Sequence, residues 1–165
     1  MDGIIFDVDG TLWDSVEVVA ESWNLAIKEN SDLEPNLNRE ILQGLFGKTM
    51  DEIAVGVFPD LDPDSRRKLM DICFDYENRY LETHPGVYYE GVMDTLKELA
   101  LEYPLFIVSN CQCGYIEVMM KGAGMEPYIK DFLCFGQTQT SKDQTILKLM
   151  EKNNLTAPVL SLIHI

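Results

Sequence analysis

Two aspartates, Asp7 and Asp9, stand two residues apart at the end of the apolar run "GIIF" and directly before Gly10 and Thr11. Like charges this close repel unless a cation or a shared proton relieves them. Oxygen ligands suit Mg²⁺, which binds through one or two carboxylates plus a substrate phosphate, so Asp7 and Asp9 are candidate metal ligands. A carboxylate also forms acyl-phosphate intermediates, which makes Asp7 a candidate nucleophile. Asp9 is then the candidate general acid for a leaving alkoxide and general base for water. Ser109 and Asn110 close a second apolar run, "LFIVSN", and are candidate hydrogen-bond donors to phosphoryl oxygens. Lys142, at the start of a later helix, would supply positive charge as charge develops on the phosphoryl group. Gly10 and Thr11 are candidate phosphate-binding residues, although Thr11 could equally satisfy the turn backbone. Lys48, after Gly47, either contacts substrate or simply leads into a helix. Taken singly, these are ordinary turn, strand-end and surface residues. Their recurrence at successive strand ends is what gives them chemistry in common.

The elements that would position them follow from periodicity. "GIIFDV" is short, β-rich and apolar, as expected of a buried parallel strand. Asp14 and Glu17 are spaced as a capping box, and Val16, Val19, Ala20, Trp23, Ala26 and Ile27 then form one stripe of an amphipathic helix. Thr49 and Glu52 predict a second box, opening a helix to about Phe58. Asp62-Pro63 predicts an N-cap with a first-turn proline, and Leu69, Ile72, Cys73, Tyr76 and Tyr80 line one face until His84-Pro85-Gly86. Beyond this block, "LFIVSN" (105–110) and "FLCFG" (132–136) read as strands. Helices are expected around Val92–Leu99, over Tyr115–Ala123 closed by Gly124, and over Ser141–Lys152.

Alternating strands and helices predict an α/β fold, a Rossmann-like parallel-sheet core. Roughly 90 residues between the first two strands are far more than a crossover needs, so the helical stretch is expected to be an inserted all-helical domain. Residues 1–14 and 85–165 would then form the core and 15–84 the insertion. Ligands of open α/β sheets bind at the carboxyl ends of the strands, where the residues above lie.

Composition narrows the function classes. The 165 residues are 46% hydrophobic and 25% charged, ordinary for a folded domain. Thirteen Lys and Arg against 28 Asp and Glu give a net charge of -15, which disfavours nucleic acid as a partner. No apolar stretch approaches the ~20 residues that span a membrane, so no membrane association is expected. The four cysteines, Cys73, Cys111, Cys113 and Cys134, match neither a C-x-x-C pair nor a zinc set and read as reduced core residues of a cytoplasmic protein. Only Cys111-Gln112-Cys113 stands out as a pair, and apolar surroundings would leave it inert. His84 is expected to serve a helix end, and Trp13 and Trp23 to pack.

The run Asp7-Val8-Asp9-Gly10-Thr11-Leu12 resembles the first motif of the haloacid dehalogenase (HAD) superfamily. Ser109 in "IVSN" and Lys142 in "TSKD" resemble its second and third motifs. "LWDS" after the first motif and "PGVYYEGVMDTLKEL" are also similar to the family, the latter to its return from a helical cap into the core. The resemblance covers essentially the whole chain, and the phosphoglycolate phosphatase and β-phosphoglucomutase-like branch is the most similar. It implies an aspartyl-phosphate mechanism, Mg²⁺, small phosphorylated metabolites as substrates, and a cap between the first and second motifs. It favours a hydrolase over a mutase.

The family's acidic fourth motif has no counterpart here: "TAPV" is followed by "LSLIHI". Leu160 to Ile165 resembles the translation of a transposase mosaic end used in sequencing libraries, so 160–165 are expected to be non-native and the last core strand and helices missing. "VLSLI" is nonetheless apolar and β-branched enough to stand as a strand beside the first. A chain without the fourth motif is expected to be destabilised and to bind Mg²⁺ weakly. Two further readings remain at this stage. One is a receiver-type phosphoacceptor module, which the helical insertion and the D-x-D spacing oppose; the other is a non-catalytic remnant of the family.

Overall fold

A computed structural model describes residues 2–161. The chain divides into two compact units, one running to Asp14 and resuming at Val87, the other Ser15–Gly86.

The first unit is built on four parallel strands, β1 (Ile4–Phe6), β4 (Leu105–Ser109), β5 (Ile129–Cys134) and β6 (Val159–Ser161), in the order β5-β4-β1-β6. Every residue of β1 and β4 is buried, as continuous apolar runs require when both faces of a sheet are covered. Ile5, Phe106 and Val108 pack with Ile146, Leu149 and Leu155 into one core cluster. Helices α5 (Val92–Ala100), α6 (Tyr115–Ala123), α7 (Phe135–Thr138) and α8 (Lys142–Asn153) connect the strands, and α8 lies against β4 and β5. The expected strand at "VLSLI" is present: Val159, Leu160 and Ser161 pair with Ile4, Ile5 and Phe6. Of the six residues expected to be non-native, 162–165 lie outside the described residues.

Asp2 anchors the approach to β6. Its carboxylate accepts hydrogen bonds from Thr156 N–H at 2.6 Å, Thr156 Oγ1 at 2.8 Å and Ala157 N–H at 3.0 Å. These donors, led by the Thr156 amide, hold its pKa at about 2, below the usual 3.8. A carboxylate whose folded pKa is depressed contributes stability above its unfolded pKa and loses it as pH falls through the folded one. Asp2→Ala should therefore lower the melting temperature at pH 7, with the difference from the unsubstituted chain shrinking between pH 4 and pH 2.

The second unit is helical: α1 (Val16–Asn30), α2 (Arg39–Gln43), α3 (Met50–Val57) and α4 (Pro63–Leu81). All six stripe residues of α1 are buried, in one cluster with Leu42, Ile53, Phe58, Leu69, Met70 and Cys73. The Thr49–Glu52 capping box forms, and Asp62 caps α4 by accepting from the amides of Asp64 and Ser65. Trp23 is buried and donates its indole N–H to the buried Glu77 carboxylate at 2.6 Å. His84 stacks on Tyr80, with ring centroids 4.2 Å apart. Among the described residues no helix is long and apolar enough to cross a membrane.

Two expectations are corrected. Asp14 does not cap α1: it belongs to β2 (Trp13–Asp14), which pairs antiparallel with β3 (Val87–Tyr88), and Ser15 is the N-cap. The two ends of the insertion meet in that ribbon, and pairing there outcompetes the cap. The third long strand begins at Ile129 rather than Phe132, and Phe135 and Gly136 start α7. Lys130 and Asp131 fit a strand because β5 is the sheet's edge, where Asp131 accepts from Lys152 and Asn153.

Candidate active site

The carboxyl end of β1 turns sharply. Val8 is fully buried and its carbonyl accepts from the amides of Thr11 at 3.1 Å and Leu12 at 2.8 Å. Gly10 adopts φ 74°, a left-handed conformation that costs glycine nothing, and donates to Trp13 O at 3.0 Å. Asp7 and Asp9 flank Val8 at this turn, Asp7 buried and Asp9 half-buried.

Asp7 is only 3% exposed, and Lys142 Nζ lies 2.7 Å from its Oδ2. Val8 N–H donates to Asp7 Oδ1 at 2.8 Å. Lys142 reaches this point because α8 starts at Lys142, behind the N-cap Ser141, and packs along β4 and β5. The ion pair therefore joins the end of β1 to a helix from the other side of β4. The β1–β4 register, Phe6 beside Ile107, brings the buried Ser109 and the half-buried Asn110 to the same edge of the sheet.

Asp9 is held by a residue that sequence reasoning missed. Tyr115 Oη donates to Asp9 Oδ1 at 2.5 Å. Tyr115 is 2% exposed, and its ring meets Trp13 edge-on at 5.6 Å. Trp13 in turn packs on Tyr88 at 5.4 Å, and Tyr88 Oη donates to Met119 O at 2.7 Å. Burial pushes the Tyr88 phenol up to about 12, so it stays a donor. The one sequence signal for Tyr115 is its place: an aromatic with a polar tip at the first position of the helix after the second long strand.

Asp7, Asp9, Gly10, Thr11, Ser109, Asn110 and Lys142 thus share one unit and one edge of its sheet. Lys48 does not: it is exposed, in the turn before α3 of the helical unit. Among the described residues no three His, Cys, Asp or Glu side chains are grouped to hold a metal. A donor set of the two carboxylates Asp7 and Asp9 would suit Mg²⁺, an ion that keeps several waters, and would not suit a metal that needs an all-protein cage.

The model of the haloacid dehalogenase-like hydrolase family matches residues 4–161. No curated protein matches the chain. Among solved structures, a predicted phosphoglycolate phosphatase of Haemophilus somnus superimposes with a TM-score of 0.79 at 22% identity, over 94% of this chain and 72% of that one. A haloacid dehalogenase-like hydrolase of Streptococcus pneumoniae gives 0.76 at 19% identity, over 97% and 74%. The hydrolase YfnB of Bacillus subtilis, in a structure bound to magnesium, gives 0.68 at 20% identity, over 96% and 78%. Identities this low carry the fold and not the substrate.

Proposed function

Because the chain belongs to the haloacid dehalogenase-like hydrolase family, we propose that it hydrolyses phosphate monoesters of small metabolites, with the phosphoryl group carried transiently on Asp7. The observation that carries this reading is the buried Asp7 carboxylate, paired with Lys142 at 2.7 Å and followed two residues on by a second carboxylate.

An Asp7 carboxylate oxygen attacks phosphorus, the bond to the substrate oxygen breaks, and Asp9 donates a proton to the departing alkoxide. Asp9 then takes a proton from water as that water attacks the aspartyl phosphate, which releases phosphate and restores Asp7. Lys142 offsets the charge gathered on the transferring group, and Ser109 and Asn110 donate to its oxygens. Thr11 contributes through its hydroxyl, since its amide bonds Val8 O, and Gly10 provides the turn. Asp7 and Asp9 would hold Mg²⁺, which when bound neutralises phosphate charge. The helical unit, Ser15–Gly86, serves as the cap, and Lys48 is its candidate substrate contact.

The test is incubation with Mg²⁺ and a panel of phosphate monoesters, scoring both released phosphate and hydroxylamine-labile phosphate on the protein. Turnover with a transient label supports the reading. A label that persists for hours without turnover would instead favour a phosphoacceptor module. Asp9→Asn should retain labelling while turnover falls by about 10²-fold or more, because acid–base assistance is lost and the nucleophile is not.

Tyr115→Phe separates positioning from packing. The ring and its contact with Trp13 remain, and only the donor to Asp9 goes. We expect kcat to fall about tenfold, the worth of one hydrogen bond to a charged group, with KM within about twofold. A purely structural role would lower the melting temperature and leave kcat unchanged.

A further inference from the structure

Just beyond the carboxyl ends of β4 and β5, three thiols converge. The register sets Ser109 beside Cys134, so Cys111 and Cys113 follow β4 where Cys134 ends β5. Gly136 N–H donates to Cys111 O at 3.0 Å, which presses the two segments together. A Cβ at Gly136 would stand 2.5 Å from Cys113 N and 3.0 Å from Cys113 Sγ, so the close approach requires glycine. Cys134 Sγ lies 3.7 Å from the carbonyl oxygen of Gln112, the residue between Cys111 and Cys113, and both of those thiols are close enough to shift its titration. Cys111 and Cys134 are buried and Cys113 is exposed.

From this arrangement we propose that Cys113 and Cys134 are a reversible dithiol–disulfide site, in which exposed Cys113 meets a small-molecule disulfide and buried Cys134 resolves the adduct. The Cys113 thiolate attacks one sulfur of RS–SR, the S–S bond breaks, and one RS⁻ leaves. The Cys134 thiolate then attacks the Cys113 sulfur, the protein disulfide forms, and the second RS⁻ leaves. Two protein thiols are oxidised, one RS–SR is reduced, and the two cysteine protons end on two RSH. Desolvation and the neighbouring Cys134 hold the exposed Cys113 thiol above its usual range, so Cys113 attacks through a minor thiolate fraction, and the ready thiolate is that of Cys134 in the resolving step. Donation from Cys111, with help from the Gln137 amide and Cys113, lowers Cys134 to about 7, so a substantial fraction is thiolate at neutral pH. Burial holds Cys111 well above the usual range, so it remains the donor. Cys73, in the other unit, is pushed up to about 12 by burial and serves as an internal control.

The folded chain is equilibrated with oxidised glutathione, quenched by alkylation, digested without reductant and mapped by mass spectrometry. We expect a Cys113–Cys134 cross-link that dithiothreitol reverses, with Cys73 and Cys111 left as thiols. In C134S we expect glutathione to accumulate on Cys113, whereas the unsubstituted chain should lose nearly all of that adduct to the cross-link. Mapping the unsubstituted chain needs no variant to fold. A Cys111–Cys113 link, a glutathione adduct that persists on Cys113 in the unsubstituted chain, or free thiols throughout would each overturn the proposal.

Discussion

Asp7→Asn should abolish both turnover and hydroxylamine-labile labelling, with kcat reduced by on the order of 10⁴-fold or more, the scale of losing a nucleophile. The amide keeps the size and shape of the carboxylate, but of Lys142, 2.7 Å from Oδ2, and Val8 N–H, 2.8 Å from Oδ1, one keeps an oxygen and the other faces the amide NH2. The fold should survive, at a cost of about 1–3 kcal/mol for the buried donor left without an acceptor. Loss of chemistry without loss of structure is the signature of a nucleophile. It is read by steady-state phosphate release together with urea unfolding of the same preparation. Phosphate release within tenfold of the unsubstituted chain would remove Asp7 from that role, and with it the aspartyl-phosphate route.

What the sequence made legible was local. Apolar runs marked β1 and β4, a stripe of small and branched residues marked α1, and Thr49–Glu52 and Asp62-Pro63 marked helix starts, because each signal needs only residues within a few turns of one another. Asp14 was misjudged because its strand partner, Val87, lies on the far side of the whole insertion. The early residues of β5 were missed because an edge strand tolerates Lys130 and Asp131, which break the apolar pattern of a central strand. The same limit applies around the candidate site. Asp7 and Asp9 announce themselves by their spacing, but Tyr115 reaches Asp9 across 106 positions of sequence. The thiol cluster likewise depends on the β4–β5 register, which sets Cys134 beside Ser109. Residue types at strand ends can be read in advance. Which side chains from later elements close on them is decided by packing.

Lys142 shows this most sharply, since a lone lysine at a helix start is usually solvated. Here its side chain is 16% exposed and faces a carboxylate that is 4% exposed. Removing the cation leaves a charge that water cannot reach, and breaking such a pair costs several times more than a surface ion pair is worth. Lys142→Met preserves most of the stem packing. It should destabilise the chain by about 3 kcal/mol, seen as a lower urea midpoint at unchanged slope. It should also lower kcat by on the order of 10²-fold, because the same charge no longer offsets the transferring phosphoryl group. The double variant Asp7→Asn, Lys142→Met separates these effects. With the carboxylate neutralised, loss of the lysine should cost much less stability, giving a coupling of about 1–3 kcal/mol for groups in direct contact. Additive costs would mean that Lys142 stabilises the fold independently of the Asp7 charge. A large coupling would show that the folded core depends on the pair that its proposed chemistry uses, so that any substitution tuning Lys142 for catalysis also alters stability.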